Sequence, residues 1–387
     1  MKKIILEGLI ILILLTSSIS IKINADTDSF YRGDIWNLLN YYRIHMALIK
    51  YQQIEKQGGW PLLEEDSFLR KGDSGKNVRT LSKRLYITGD LQKKLCDLDE
   101  EVIFDKEIEK ALLTFQHRHG LLEDGVMGPQ TLAALNMPVE EKIAKLSLNR
   151  KLIYNLFDDY ITRYILVNIP AFQLMLIEDG EEIMRMRAIV GSTDRKTPVF
   201  NDEIEYIVIN PSWRIPRITA VNDIIPKLKN DLNYLKEKNI NVFDDWTENA
   251  NRLDPTELDW SRYNINNFDL MLEQEAGPDN EMGKVKFMFP NEYLVYIHDT
   301  PHKDLFEHYQ RAYSSGCVRV EKPLDLLAYT LKDHEEWTQE EISRVLETGE
   351  TVEIDLIEAI PIFIVYWTAW VDENGLIHFR KDLYNHN

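Results

Sequence analysis

Tyr296-Ile297-His298-Asp299-Thr300-Pro301, followed by Arg311-Ala312-Tyr313-Ser314-Ser315-Gly316-Cys317-Val318-Arg319-Val320, is the stretch from which the rest of the chain is read. It brings a histidine and a cysteine into one short span. A thiol near its free pKa of about 8.5 is mostly protonated at neutral pH, so a working sulfur nucleophile needs a base or an electropositive site beside it. Gly316 leaves no side chain in the path of a substrate and lets the backbone turn amide hydrogens toward a developing oxyanion. Taken singly, Cys317 reads as a small core residue in a strand and His298 as a satisfied histidine, and for most single cysteines that reading wins.

The residues around the pair decide between these readings. Their arrangement resembles the L,D-transpeptidase catalytic domain, whose signature is a His-centred turn, a spacer, then Ser/Thr-His/Ser-Gly-Cys followed by an apolar residue and Arg or Asn. His298, Ser314, Ser315, Gly316, Cys317 and Arg319 occupy those places. The Ser-Ser-Gly-Cys-Val-Arg form is similar to the subgroup that makes 3-3 cross-links in Gram-negative peptidoglycan. Several members carry a second histidine just before Gly-Cys. This chain has Ser315 there, which leaves His298 as the candidate general base.

The resemblance implies two-step acyl transfer without cofactor or ATP. Cys317 attacks the carbonyl between the L-centre of a diamino acid and the terminal D-alanine of a tetrapeptide stem, and the thioester passes to the amine of a neighbouring stem. It also implies that carbapenems acylate Cys317. The partners expected are peptidoglycan stem peptides, a tetrapeptide donor and a diamino-acid acceptor, with envelope synthesis proteins as further candidates.

Four residues are candidates for substrate binding. Tyr296, two positions before His298, shares its face if the strand persists. Trp213, in Asn210-Pro-Ser-Trp-Arg-Ile-Pro216, occupies the place of a cleft-lining aromatic in the resembling subgroup. Arg319 lies on the strand side of Cys317, suited to a substrate carboxylate, to raising thiolate content or equally to pairing with an internal acid. Ser315 offers a hydroxyl. Asp299 points the other way in a strand and is not cast as the orienter of His298. His302 and His308 raise the question of a metal, but Pro301 opposes a helix and zinc-like spacing is missing, so no metal is expected. The P-loop, the Rossmann fingerprint and the Gly-x-Ser-x-Gly elbow are absent from the chain.

The chain has 387 residues, room for two or three domains, with 44% hydrophobic and 28% charged content, ordinary for a globular protein. A net charge of −19 and a pI near 5.0 argue against a nucleic-acid partner, which wants a basic face. Lys2 and Lys3, the apolar run Leu9–Leu15 and Ile23-Asn24-Ala25 read as an export signal over residues 1–25, or as an uncleaved anchor. Either way the bulk of the chain is expected in the periplasm or cell envelope. Cys96 lies in an acidic, loop-like stretch, and a bridge would consume the proposed nucleophile, so no Cys96–Cys317 disulfide is expected.

Residues 26–65 carry one helical pattern from Ile35 to Ile49, stopped by Gly58-Gly59. Residues 66–138 read as three helices, marked by Val78, Leu81 and Leu85, by Asp105 through Phe115 to Gly120, and by Pro129. Phe115-Gln116, Gly120-Leu121 and Asp124-Gly-Val-Met-Gly-Pro-Gln-Thr131 resemble the peptidoglycan-binding module, with residues 89–104 inserted between its helices. Residues 139–160 form a connecting helix. From residue 161 to 380 the period becomes strand-like, with strands expected at 164–169, 172–177, 183–190, 204–209, 293–297, 352–356, 361–370 and 376–379, and hairpin turns at Asp179-Gly180 and Asn374-Gly375. The fold class is therefore multidomain α+β: a three-helix peptidoglycan-binding module and a mainly β catalytic sandwich, the sandwich itself implied by the resemblance. A polar, acidic insertion at about 218–284 is expected to cap the active-site cleft, as in the resembling subgroup.

Two competing functions follow. Water attacking the same thioester makes a carboxypeptidase. A non-catalytic wall-binding protein would use only the 66–138 module, and the intact His298/Cys317 pair speaks against it.

Overall fold

The computed structural model describes residues 32–93, 101–156, 161–247 and 249–386, with side chains from 36 onward. The expected export signal, Cys96 and Phe157 lie outside the described residues. Among those described, no helix is long and apolar enough to cross a membrane.

The helical part begins with α1 (Arg32–Lys56), α2 (Lys76–Thr88), α3 (Lys106–His119), α4 (Pro129–Asn136) and α5 (Val139–Tyr154). Local chemistry sets their ends. The Asp105 carboxylate caps α3 by accepting from the amides of Glu107 and Ile108, and Gly120 closes it in the left-handed conformation. Val78, Leu81, Leu85, Ile108, Leu112, Phe115 and Leu135 fill one small core. The fully buried Gln116 side chain organises the loop after α3: its amide donates to Asp124 Oδ1 and Val126 O, and its oxygen accepts from Gly125 N. This is the physical content of the Phe-Gln…Asp-Gly pattern.

The β part comprises β1 (Arg163–Asn168), β2 (Gln173–Glu178), β3 (Glu181–Gly191), β4 (Phe200–Ile209), β5 (Trp213–Arg214), β6 (Ile240–Phe243), β7 (Met271–Gln274), β8 (Val285–Met288), β9 (Ile297–His298), β10 (Ala312–Ser314) and β11 (Val318–Val320). Helices α6 (Pro323–Thr330) and α7 (Gln339–Thr348), then β12 (Val352–Val365), β13 (Ala369–Val371) and β14 (Ile377–Phe379), complete it. Nine strands form one mixed sheet in the order β10-β3-β11-β9-β8-β4-β12-β1-β2, and β2 pairs β3 as well, so the sheet closes on itself. Closure removes the exposed edges that an open sheet would leave to aggregate. The enclosed core takes alternate residues from each strand, among them Ile165, Val167, Leu174, Ile207, Phe287, Ile297 and Val318.

Four expected strands change most. The strand expected at 293–297 shrinks to β9, because the Asn291 side chain takes the backbone groups that a ladder would use. Its oxygen accepts from the Tyr293 and Val295 amides, its amide donates to the Phe289 and Val295 carbonyls, and Leu294 adopts φ 55°. The strand expected from Phe172 starts at Gln173, since Phe172, at φ 54°, ends a 3₁₀ turn that contains Pro170. The segments expected at 352–356 and 361–370 fuse into the 14-residue β12, whose register shifts between Asp355 and Ile360.

The outer face of β1, β2 and β12 is covered by α1, α5 and the β13–β14 hairpin through Leu48, Tyr51, Leu146, Ile153, Phe363 and Phe379. The α2–α4 unit is joined to this assembly by buried polar contacts. Arg118 donates twice to Asp90, at 2.6 and 2.7 Å, and once to Ile377 O. Arg380 donates to Arg118 O and lies so close that a Cβ on Gly120 would sit 2.6 Å from its Cδ. The insertion builds its own three-stranded sheet, order β5-β7-β6, around Ile215, Ile224, Leu228, Trp260, Phe268 and Leu272. That sheet reaches back to Trp213, ahead of the expected start at 218.

Candidate active site

Cys317 sits in the tight connection between β10 and β11, and two neighbours shape that connection. Gly316 takes φ 120°, a conformation an L side chain rarely adopts, while the space around it holds nothing closer than 3.6 Å, so backbone conformation selects glycine here. Ser314, buried, donates through Oγ to Cys317 O and accepts from Gly316 N. From the β3–β4 loop, buried Thr197 donates to Gly316 O at 2.7 Å and accepts from Gly191 N at 2.8 Å. A side chain on Gly191 would collide with Arg195 O at 2.2 Å, so this loop can fold back on itself only over glycine.

Register places His298. β11 runs parallel to β9, with Val318 opposite Ile297 and Arg319 opposite His298, and Val318 N donates to Tyr296 O at 3.0 Å. Cys317 therefore lies beside Tyr296, one pleat before His298. Ladder spacing puts the Cα atoms of Cys317 and His298 about 8 Å apart. Ile297, Val318 and Phe287 face the core. Their alternating neighbours His298, Arg319 and Lys286 share the opposite face, with Lys286 on β8 directly across from His298.

His298 is 2% exposed, and its Nδ1 is buried with no hydrogen-bond partner. Burial pushes its pKa well below the ordinary histidine value. Arg319 and Lys286 add to that push, and backbone groups of Asp299 and Met282 oppose it. The imidazole is therefore neutral at pH 7 and able to take a proton. Cys317 keeps part of its surface open, and its Sγ points to Leu294 O at 3.8 Å. Burial raises the thiol pKa, while Tyr296, Lys286 and Arg319 oppose the rise. The resting pair is thus thiol and neutral imidazole.

The other expected residues gather at the same place. Tyr296 packs edge-on to His298, ring centroids 5.6 Å apart, and its hydroxyl faces both the Cys317 sulfur and Trp213. Trp213 opens the small inserted sheet, so this contact sets that sheet against the site. Arg319 is half-buried, its Nε buried without an acceptor. Ser315 is exposed, and its Oγ accepts from Arg195 Nη1 at 2.9 Å. Among oxyanion donors, Gly316 N–H is already taken by Ser314. The amide of Cys317 makes no hydrogen bond to any described residue.

Asp299 has a structural task. Its carboxylate accepts from the amides of Lys284 and Thr300 and from Lys303, and it packs on Gly283, where a Cβ would come within 2.4 Å of it. His302 pairs with Glu281 and His308 with Tyr313, so neither joins His298. Sequence reasoning missed Lys286, Thr197 and the Arg195–Asp223 pair. For Lys286 a signal existed: alternation in Lys286-Phe287-Met288-Phe289 sets the lysine opposite the phenylalanines.

Comparisons with known proteins place the chain among relatives. A family model described as the L,D-transpeptidase catalytic domain matches residues 162–354, and one described as a putative peptidoglycan binding domain matches residues 74–135. A Haemophilus influenzae protein described as a "Putative L,D-transpeptidase" is 34% identical over 343 residues, covering 86% of this chain and 68% of its own length. Among solved structures, the L,D-transpeptidase of Stackebrandtia nassauensis is 14% identical over 79% of this chain and 96% of its own, with TM-score 0.28. For the L,D-transpeptidase from Mycobacterium smegmatis the identity is 12% over 52% of this chain and 58% of that one, with TM-score 0.25.

Proposed function

The chain belongs to the L,D-transpeptidase family, and from that premise we propose that it is an exported, cysteine-dependent acyltransferase forming 3-3 cross-links between peptidoglycan stems. The observation that carries this is the pairing just described: a partly open thiol one pleat from a buried, neutral imidazole whose Nδ1 has no partner.

Cys317 gives its proton to His298 and attacks the carbonyl that joins the L-centre of the diamino acid to the terminal D-alanine. The amide C–N bond breaks, and D-alanine leaves with the proton now on the imidazole. A neighbouring stem's amine then attacks the thioester. His298 takes the amine's proton, and the proton passes to the departing sulfur. One amide is broken and one made, so no external energy source is needed. The Cys317 amide supplies an oxyanion donor, and removing such a donor typically costs about 10²–10³ in rate. Resting geometry with the thiol turned toward Leu294 O is compatible with this, since catalytic hydrogen bonds commonly tighten only once substrate is bound.

The inserted sheet supports transfer over hydrolysis. Trp213 brings it against Tyr296 and the thiol, and excluding water favours attack by an amine. The α2–α4 unit is assigned to holding the wall.

Mass spectrometry of tetrapeptide muropeptides incubated with the protein and with Cys317→Ala tests the reading. Thiol-dependent dimers are expected. Tripeptides with free D-alanine and no dimers would make it a carboxypeptidase, and neither product would leave a wall-binding protein.

A further inference from the structure

Lys286 is a charged group on the site face that the chemistry above leaves without a task. Its ammonium stands 3.8 Å from the centroid of the Tyr296 ring, and its neighbours Val285 and Phe287 are core, so the side chain is held on the cleft side of β8. Among the described residues, no carboxylate lies within ion-pair distance of Lys286 or of Arg319. Arg163, Arg187 and Arg195 each hold at least one. Arg319 flanks His298 from the opposite strand, and its Nε is buried without an acceptor. Glu281 acts on Arg319 only from beyond ion-pair distance, and a partly buried cation with no carboxylate in contact is costly unless a ligand supplies one. In a chain of net charge −19, two such cations on either side of one histidine mark a local positive field beside the thiol.

We propose that Lys286, with Arg319, binds the carboxylate at the C-terminus of the departing D-amino acid, so that the donor must end in a free carboxylate one residue beyond the bond that breaks. This rests on the acyl-transfer reading and adds a specificity-determining residue to it. The spacing is what the chemistry asks for. Only the nitrogen and Cα of one residue separate the scissile carbonyl from that carboxylate, so its partner has to stand next to the nucleophile. Lys286 stands across the ladder from His298, against the ring whose hydroxyl faces Sγ. The ammonium's seat over the Tyr296 ring keeps it in place between turnovers. Once D-alanine leaves, the carboxylate goes with it, and the two cations are vacant for the acceptor stage.

The test compares kcat/KM for thioester formation, followed by intact-protein mass, on three tetrapeptides: one ending in D-alanine, one in D-alaninamide, and one amidated instead on the diamino acid's side-chain carboxylate. The wild-type protein is expected to prefer the free terminus over D-alaninamide by about 10- to 100-fold, the range of a charge-assisted hydrogen bond. Lys286→Gln is expected to lower that ratio by at least about threefold, with Arg319 keeping part of the preference, and Lys286→Arg to restore most of it. A ratio unchanged in Lys286→Gln, or a preference that follows the diamino-acid carboxylate, overturns the proposal. A wild-type thioester formed equally well from the first two substrates overturns it while leaving acyl transfer intact. No thioester from any substrate removes the acyl-transfer reading, and this proposal with it.

Discussion

The Arg195 guanidinium grips the Asp223 carboxylate through two hydrogen bonds, Nη1 to Oδ2 at 2.5 Å and Nη2 to Oδ1 at 2.8 Å. Asp223 belongs to the inserted segment and Arg195 to the β3–β4 loop. The same Nη1 also reaches Ser315, two residues from the thiol. One side chain thus ties the insertion to the Cys317 loop. Both partners are partly exposed, so the pair contributes on the order of 1 kcal/mol or less to stability. Asp223→Ala should therefore shift the melting temperature by less than about 3 °C. Alkylation of Cys317 by iodoacetamide should accelerate several-fold as the loop loses its tether. An unchanged alkylation rate would show that the insertion and the thiol are not coupled through Arg195.

Thr197 braces the same loop from beneath. Replacing it by Val leaves Gly316 O and Gly191 N without their buried partner, at a cost of about 1–3 kcal/mol. Urea denaturation should register that loss, with kcat falling further than KM rises. Thr197→Ser, which keeps the hydroxyl, should recover both.

The pH dependence follows from two opposite shifts. The folded pKa of His298 is depressed, so between that value and about 6.5 the unfolded chain binds the proton that the folded chain refuses. Stability is thus at full strength above about pH 6.5 and declines below it. His119, buried and shifted the same way, adds to the decline. The urea midpoint should fall between pH 7 and pH 5, and less steeply in His298→Gln. The Cys317 pKa is raised above that of a free thiol, so alkylation should keep accelerating past pH 9 without a plateau near the free value of about 8.5. A plateau there would mean that a thiolate–imidazolium pair is already formed.

The Arg118–Asp90 pair is nearly sealed, at 3% and 2% side-chain exposure. Asp90→Ala strands a buried guanidinium and should cost about 3–5 kcal/mol, far more than Asp223→Ala. Equilibrium unfolding of the two variants side by side checks the ranking. A loss below about 1 kcal/mol for Asp90→Ala would mean that water reaches Arg118.

Much of the site was readable in order along the chain. His298, Gly316 and Cys317 stand close together in sequence, and the demands on them are local: a glycine for φ 120°, a residue two ahead of His298 to share its face. The helix ends at Asp105 and Gly120 were legible for the same reason. Strand limits were less so. Asn291 draws the neighbouring backbone into its own side-chain hydrogen bonds, which apolar runs do not announce.

Residue types and their spacing, read with the family resemblance, marked Cys317 and His298 as the candidate pair and laid out the helical module and a mainly β remainder, because each depends on neighbours a few positions away. Tertiary structure alone decided that the sheet closes through β2 and β3, that Lys286 and Arg319 flank the imidazole, and that Arg195 links Asp223 to Ser315. Those relationships join segments that only strand register and core packing bring together. Whether a charge finds a partner is settled in three dimensions, and the order of residues does not record it.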